Sequence, residues 1–190
     1  MAIISGCLHS SYQYTRTTRI LDARAYHLPI YIDKNFSSED RITIDDVINQ
    51  WNYVLNGHVI IYAETYEFDM EPESITKALN QGLLILKINS KSTFLPGDDA
   101  PNHRILAWVD SIGGHKMWVV RDRIYSQSKL QNTMLHELGH ILGVDHINVD
   151  DSIMAEADPG MPCIDKLSAY AAAKYWRLLS TQVNYCNLNN

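Results

Sequence analysis

The sequence predicts an α/β fold, bordering on α+β, in which one twisted sheet packs against a few long helices. Apolar runs typical of strands recur between residues 27 and 122, and three longer stretches carry apolar residues at the spacing of a helix. Of the 190 residues, 46% are hydrophobic and 20% are charged, which is ordinary globular composition. We expect an irregular lead-in over residues 1–20 and one domain over residues 21–190, which is long enough to bury a core without disulfide bonds.

The first half of this domain alternates strands and helices. A strand is predicted over residues 27–36, and an amphipathic helix follows over residues 38–56, where apolar side chains recur on one face. Two further strands are predicted over residues 59–68 and 83–89, with a short helix over residues 71–81 between them. The order of these elements is typical of helices packed on a sheet.

The second half begins with a loop and a hairpin. Residues 91–103 contain two prolines and a Gly-Asp-Asp run, which predicts a loop. Strands are predicted over residues 105–111 and 116–122. Gly113 and Gly114 lie between them, and two glycines in that position favour a hairpin turn.

Two helices complete the chain. Residues 126–142 present one apolar face, formed by Leu130, Met134, Leu135, Leu138, Ile141 and Leu142. Residues 143–162 show no regular period. Residues 165–179 are rich in Ala and Leu and predict the last helix.

Charge and hydropathy exclude several classes of protein. Sixteen Lys and Arg residues against 22 Asp and Glu residues give a net charge of −6, whereas a nucleic-acid binder needs a basic surface. No apolar run approaches the ~18–20 residues of a transmembrane helix. The N-terminus lacks the features of a complete secretory signal. Residues 4–7 (ISGC) are similar to the end of a lipoprotein signal, with a lipidated Cys7, and a frayed tail is the alternative.

The cysteines are few and odd in number. Cys7, Cys163 and Cys186 form no C-x-x-C pair and no disulfide framework. Cys163 and Cys186 flank the last predicted helix, so they could pair only if the tail folds back along it. The sparse pattern favours two unpaired thiols, and the redox compartment is not readable from it.

The segment HELGHILGVDH, residues 136–146, carries the chemistry. His136 and His140 are four residues apart on a predicted helix, so they lie on one face, one turn apart. Gly143 can adopt the left-handed conformation that ends a helix and turns the chain. That turn can bring His146 back towards the same metal ion as a third nitrogen ligand.

Three protein ligands leave the fourth position of a tetrahedral zinc site open for water, as in catalytic sites. Zinc lowers the pKa of such a water to about 7 and polarises a carbonyl group. Glu137 is predicted to be the general base, which takes a proton from the zinc-bound water and passes it to the leaving amine. These parts predict a zinc-dependent endopeptidase. The alternative for the motif alone is a surface helix with solvated histidines.

This segment resembles the metzincin zinc metallopeptidases, whose extended motif is H-E-x-x-H-x-x-G-x-x-H followed by a methionine turn. Met154, eight residues after His146, is similar to that methionine, although a Met in this position can also simply fill the core. The likeness is greatest to the matrixins, the group that resembles the matrix metalloproteinases. It implies a twisted, mostly parallel sheet with an antiparallel edge strand and three main helices. It also implies a cleft between an upper lobe, about residues 21–143, and a small lower lobe, about residues 144–190.

The resemblance also implies how a substrate would bind. An extended polypeptide would pair with the edge strand around Leu106, Ala107 and Trp108, as one more strand. Trp108 and Trp118 are compatible either with lining a pocket beside the zinc or with packing on the sheet. The protein is expected to be a monomer without a nucleic-acid partner.

Several positions depart from the matrixin pattern. Ile147 replaces the usual Ser, and Glu156 stands where the usual Pro is expected. No structural zinc or calcium loop is recognisable in residues 91–103. Asp98, Asp99 and His103 could bind an ion, yet they are typical of a solvated loop, so calcium has no support from the sequence. A prodomain with a cysteine switch is not recognisable either.

Two other classes of function remain open. One is a zinc-binding interaction module of the same fold with weak or no turnover, against which the intact Glu137 argues. The other is a structural protein with a fortuitous motif. The remaining histidines, at positions 9, 27, 58, 103 and 115, have no ligand spacing and are expected to be surface or capping residues. A secreted or cell-surface location is implied by the resemblance alone.

Overall fold

The fold is that of a computed structural model, which describes residues 13–14, 25–69, 71–80, 82–96, 104–156 and 160–187. Its strands are β1 (Gln13–Tyr14), β2 (Tyr26–Asp33), β3 (Val59–Phe68), β4 (Leu83–Ile88), β5 (Ala107–Val109), β6 (Lys116–Val120) and β7 (Cys186–Asn187). Its helices are α1 (Ser38–Val54), α2 (Pro72–Leu79), α3 (Gln127–Ile141) and α4 (Lys166–Tyr175). The predicted α/β class is confirmed.

Five strands form the main sheet, in the order β3-β2-β4-β6-β5. The pairs β2–β3, β2–β4 and β4–β6 are parallel, whereas β5 runs antiparallel to β6 at the edge, with Trp108 opposite Trp118. The sheet is therefore mostly parallel with one antiparallel edge strand, as expected. The predicted hairpin between β5 and β6 is also confirmed.

Helix α1 begins at a capping box. The Asp40 backbone N–H donates to the Ser37 hydroxyl at 3.1 Å, and the Ser37 backbone N–H donates to the Asp40 carboxylate at 3.3 Å. This arrangement satisfies backbone donors that the first helical turn leaves free. The helix then buries one apolar stripe, formed by Ile44, Val47, Ile48, Trp51 and Val54.

The main core lies between one face of the sheet and the helices α1 and α3. Leu83 and Ile85 of β4 belong to this core, whereas their neighbours Leu84 and Leu86 belong to a second cluster on the other face. Successive strand residues point to opposite faces, so a strand buried on both faces is apolar throughout. The Trp51 indole N–H donates to the Leu135 carbonyl at 3.0 Å and joins α1 to α3.

An ion pair joins the start of α1 to the segment between β6 and α3. The Arg121 guanidinium donates to the buried Asp40 carboxylate at 2.9 Å, and the Gln127 amide donates to it at 3.1 Å. Burial opposes ionisation of Asp40, but the hydrogen bonds from Gln127, Arg121 and Ser37, together with the Arg121 charge, leave its pKa below the ordinary value. The pair thus fixes α1 against the entrance to α3.

Several predicted element boundaries differ from the structure, and three of them have local causes. The first main strand ends at Asp33 because the Asp33 carboxylate and carbonyl accept from the backbone of Asn35 and Phe36 and form a turn. The strand predicted over 105–111 is only three residues long, since Asp110 already belongs to the hairpin end. Helix α4 ends at Tyr175, because Arg177 has a φ of 57°, in the left-handed region.

The C-terminal tail differs most from expectation. Cys163 and Cys186 are joined in a disulfide bond, so the prediction of two unpaired thiols is wrong. The tail does fold back along α4, and the Cys186 backbone N–H donates to the Ile164 carbonyl at 2.9 Å. Within the expected lead-in, β1 pairs antiparallel with β7. His58, expected to be a surface or capping residue, is buried.

Candidate metal centre

The position and rotation of α3 are fixed by its capping residue and by its buried apolar face. The helix begins after Ser126, whose hydroxyl accepts from the Lys129 backbone N–H at 3.1 Å. Its apolar face is fully buried, with Leu130, Met134, Leu135 and Leu138 in the core. Because the core fixes the rotation of the helix, the opposite face carries His136 and His140 at one constant position.

A turn brings the third histidine to the same place. Gly143 has a φ of 86°, and the Val144 N–H donates to the Gly139 carbonyl at 2.9 Å, which closes the end of the helix. The chain reverses there and returns His146. One nitrogen from each of the three imidazoles lies within 4.8 Å of the others.

The proton positions on two of these rings follow from their partners. The Nδ1 atom of His136 lies 2.8 Å from the Ile153 carbonyl oxygen, and that of His140 lies 2.7 Å from the Val144 carbonyl oxygen. A carbonyl oxygen only accepts hydrogen bonds, so each Nδ1 carries the proton. Both Nε2 atoms then have lone pairs, and they face each other at 3.0 Å.

Burial keeps both rings neutral. Desolvation, reinforced by the neighbouring His140 and His146, lowers the pKa of His136 to about 4, although the hydrogen bond to Ile153 opposes the shift. Desolvation also lowers the pKa of His140. Near neutral pH these two rings are therefore in the state that a metal ligand requires.

The geometry suits a small divalent cation. Nitrogens at ~2.0–2.1 Å from one tetrahedral ion lie about 3.3 Å from each other, which is close to the separation of the two Nε2 atoms. Two facing lone pairs repel unless a cation lies between them. Carbonyl acceptors on the distal Nδ1 atoms are the outer partners typical of metal-bound histidines. Three imidazoles without a thiolate form a donor set that occurs in catalytic zinc sites.

Glu137 follows the first histidine and is only 9% exposed. Desolvation raises the pKa of its carboxyl group to about 8. The structure describes no charged partner that offsets this burial, so the carboxyl group is protonated near neutral pH in the absence of a cation. A positive charge nearby favours the ionised form, so a bound cation would turn Glu137 into a base.

Met154 packs directly against the helix that carries the histidines. A methyl group added at Gly139 would lie 2.4 Å from the Met154 sulfur, so only glycine allows this contact. Gly within a helix is less favourable than Ala by about 1 kcal/mol, and the close approach of the thioether accounts for its presence here. Met154 thus lies against the segment between His136 and His140.

Asp165 supports the site, and the sequence reasoning did not identify it. One carboxylate oxygen caps α4 by accepting from the backbone N–H groups of Leu167 and Ser168. The other accepts from the Ile153 N–H at 2.8 Å and from the Ser152 hydroxyl at 3.0 Å. The position of Asp165 directly before the last helix could have suggested a helix cap, but it could not have suggested the hydrogen bonds to the methionine turn.

Of the residues expected to bind substrate, Ala107 and Trp108 lie on the edge strand β5, and Leu106 directly precedes it. Leu106 and Ala107 pack partly buried against the main core. Trp108 stacks on Trp118 with a centroid distance of 5.8 Å, and Phe94 also stacks on Trp118, at 5.2 Å. The two tryptophans therefore pack with each other on the sheet. Asp98, Asp99 and His103 lie outside the described residues, as do Cys7 and residues 157–159.

Comparison with known proteins supports the resemblance. The matrixin family model (peptidase M10) matches residues 89–160, which is less than half of the chain and includes the whole histidine motif. The crystal structure of archaemetzincin from Methanopyrus kandleri is similar in fold, with a TM-score of 0.53 and 12% sequence identity. That match covers 82% of this chain and 97% of the archaemetzincin chain. No match is found among curated proteins.

Two predictions are thereby confirmed, namely the metzincin-like fold and the likeness to the matrixins around the histidine motif. The matrixin match and the three-histidine cluster support a zinc metallopeptidase type of function, for which zinc is the expected metal and polypeptides are the substrates. Among the helices that the structure describes, none is both long enough and apolar enough to cross a membrane.

Proposed function

We propose that this protein is a zinc-dependent endopeptidase. The observation that carries the proposal is the convergence of three imidazole nitrogens, two of them with lone pairs directed at each other, beside a buried carboxyl group. The proposed ligands are His136, His140 and His146, and the proposed general base is Glu137. The match to the matrixin model over the same segment supports this assignment.

A zinc ion in this position would supply Lewis-acid chemistry, which activates a water molecule and polarises a peptide carbonyl. Glu137 accepts the proton of the attacking water and later donates it to the nitrogen of the leaving amine. Its burial excludes bulk water, so the proton stays on the carboxyl group between the two steps. The carbonyl oxygens of Ile153 and Val144 hold the His136 and His140 rings in orientation through their Nδ1–H groups.

Strand β5 is the proposed binding site for the polypeptide. It is the last strand in the order of the main sheet, so its outer edge is available for pairing in the described part of the chain. A peptide that adds there binds through backbone hydrogen bonds, which tolerate many side chains. The helix α3 packs against β5, so the bound peptide would lie next to the histidine cluster.

The first test measures metal and turnover in the same preparation. Elemental analysis of the purified full chain should give one zinc per molecule, and a fluorescently labelled unfolded protein should be cleaved. A chelator should abolish cleavage, and zinc should restore it. Protein that stays free of metal and inactive after zinc is supplied would refute the proposal.

Two substitutions separate the base from the ligands. Glu137→Gln should keep zinc but lower kcat by about 10²–10⁴-fold, because the amide cannot accept a proton. His140→Ala should lose both zinc and activity. Glu64→Gln and His27→Ala, on exposed positions of β3 and β2, are the matched controls and should behave like the wild type. Full activity of Glu137→Gln would contradict the mechanism.

The same experiments distinguish the alternative function. A zinc-binding interaction module would contain one zinc per molecule yet cleave nothing, with or without Glu137. The endopeptidase proposal requires that the wild type and Glu137→Gln differ in turnover at equal zinc content.

We further propose that the protein is a monomer that works outside the cell or on its surface. The disulfide bond between Cys163 and Cys186 supports an oxidising compartment, because cytosolic reductants keep such pairs reduced. Titration of free thiols in the denatured protein from its native source should therefore find neither of these cysteines free. Light scattering should give the mass of one chain.

A further inference from the structure

The C-terminal end of α4 lies at a junction between the metal helix and the edge strand. The carbonyl oxygen of His140 accepts two backbone hydrogen bonds, one from the Gly143 N–H at 3.0 Å and one from the Gly113 N–H at 2.8 Å. Gly143 belongs to the turn that ends α3, whereas Gly113 is at the tip of the β5–β6 hairpin. A proposed metal ligand is thus bonded through its backbone to the hairpin that contains β5.

The aromatic ring of Tyr175 covers this junction. A methyl group added at Gly143 would lie 2.1 Å from the ring, so the ring rests directly on the glycine backbone. A methyl group added at Gly113 would lie 2.4 Å from the Tyr175 hydroxyl oxygen. Tyr175 therefore spans from the end of the metal helix to the hairpin tip.

Neighbouring contacts fix Tyr175 in this position. The indole N–H of Trp176 donates to the Leu142 carbonyl at 3.2 Å, which attaches the end of α4 to the end of α3. The Trp176 ring also contacts the rings of Tyr175 and Tyr26, with centroid distances of 5.6 Å and 5.2 Å. The ring of Tyr175 therefore has a defined support on the side of α4.

We propose that Tyr175 is a positioning residue, which holds the β5–β6 hairpin at a fixed register against the helix that carries His136 and His140. This inference rests on the proposed peptidase function. A peptide paired with β5 takes its position from the hairpin, whereas the reacting carbonyl must reach the metal on α3. Tyr175 sets the distance between the hairpin and the metal site, and it touches neither the peptide nor the metal.

Removing the ring should separate binding from turnover. In Tyr175→Ala the backbone groups of β5 are intact, so a long peptide still pairs with the strand and KM changes little. Its carbonyl is displaced relative to the histidines, and a displacement near 1 Å lowers rates by up to about 10²-fold. A short peptide that hardly reaches β5 takes its position from the metal site and should be cleaved as before.

The kinetic test uses the zinc-loaded full chain and two quenched fluorescent peptides, one of about ten residues and one of about four residues. For Tyr175→Ala we expect kcat on the long peptide to fall at least about 10-fold, with KM, zinc content and cleavage of the short peptide within a factor of about two of wild type. Tyr125→Ala, at a position that is 85% exposed, is the matched control and should match wild type on both peptides. A parallel loss on both peptides, or no loss on the long one, would overturn the proposal.

A second test does not depend on activity. Amide hydrogen exchange by NMR should be at least about 10-fold faster at Gly113 in Tyr175→Ala, with β4 amides unchanged. Tyr175→Phe keeps the ring on Gly143 and should speed exchange at Gly113 alone, because only the hydroxyl is lost. Unchanged exchange at Gly113 in Tyr175→Ala, or uniform acceleration throughout the sheet, would overturn the role of Tyr175. If the wild type cleaves no peptide at all, the proposed peptidase function fails, and this test still decides whether Tyr175 holds the hairpin.

Discussion

Replacing Asp165 tests whether α4 stabilises the metal centre. This carboxylate is only 7% exposed and accepts five hydrogen bonds at 2.7–3.0 Å, two of them from the first turn of α4 and three from the methionine turn and Ser168. The Ile153 residue that donates to Asp165 also provides the carbonyl that accepts from His136 Nδ1. A change at Asp165 should therefore alter both folding and the orientation of one proposed ligand.

The two effects have separate magnitudes. Loss of a helix N-cap costs about 1 kcal/mol, and hydrogen bonds to a charged acceptor contribute about 1.5–3 kcal/mol each. Because these bonds share one carboxylate, their effects are not additive, and Asp165→Ala should lower the free energy of unfolding by about 3–5 kcal/mol. Loss of an outer partner of a metal-bound histidine lowers metal affinity by about 10–100-fold.

Asp165→Ser separates capping from support of the methionine turn. A serine hydroxyl can still cap α4, but it is too short to reach Ile153 as well. We expect this variant to regain about 1 kcal/mol relative to Asp165→Ala in urea unfolding, while its zinc affinity in a chelator competition stays low. Ser37→Ala, which removes the cap of α1, is the control and should cost about 1 kcal/mol without changing zinc affinity. Wild-type zinc affinity in Asp165→Ser would refute the reasoning.

Four further predictions concern stability. Gly139→Ala should lower the melting temperature despite the better helix propensity of Ala, because the added methyl group meets the thioether of Met154 and overpacking costs about 1–3 kcal/mol. Because the pKa of Asp40 is lowered in the folded chain, its contribution to the free energy of unfolding is present above the pKa of the unfolded state and is lost as the pH falls through the pKa of the folded state. Urea unfolding of Asp40→Asn should therefore show a smaller loss of stability between neutral and strongly acidic pH than urea unfolding of the wild type. Reduction of the disulfide, whose cysteines are 23 residues apart, should lower the free energy of unfolding by about 3 kcal/mol, and Cys163→Ser should show the same loss without a reductant. Addition of zinc to chelator-treated protein should raise the melting temperature, and at a zinc concentration of about a hundred times Kd the free energy of unfolding should increase by about 2.7 kcal/mol. The melting temperature of His140→Ala should not change on addition of zinc.

The elements that the sequence predicts well are those with local causes. The apolar stripe of α1 and the spacing of His136 and His140 depend on helical geometry alone, so the helices and the pairing of two imidazoles on one face could be predicted. The position of His146 required one more local feature, the glycine at 143, whose positive φ permits the turn. The family resemblance added the antiparallel edge strand.

The features that the sequence did not reveal depend on contacts between distant residues. Asp165 looks like an ordinary helix cap in the sequence, and only the folded chain shows that its second oxygen binds the methionine turn. Similarly, Tyr175 is one more residue of a predicted helix until the ends of α3 and α4 meet. The disulfide could not be inferred from spacing, because pairing requires the tail to return along α4.

Each polar group of the metal centre is unfavourable for the stability of the folded chain when it is considered alone. The lone pairs of His136 and His140 face each other at 3.0 Å, and Glu137 is buried in a setting that raises the pKa of its carboxyl group to about 8. A sequence selected only for stability would replace such groups with apolar ones, since buried polar groups without partners are costly. The helix tolerates these polar groups because its other faces are buried in the core, and because backbone carbonyls accept hydrogen bonds from the Nδ1–H groups of both rings. A divalent cation would relieve both conflicts at once, because it would attract the facing lone pairs and favour the ionised carboxylate. No other described cationic group lies near enough to lower the pKa of Glu137. Because one ion would satisfy both the facing imidazoles and the buried carboxyl group, this cluster has the physical character of a metal site.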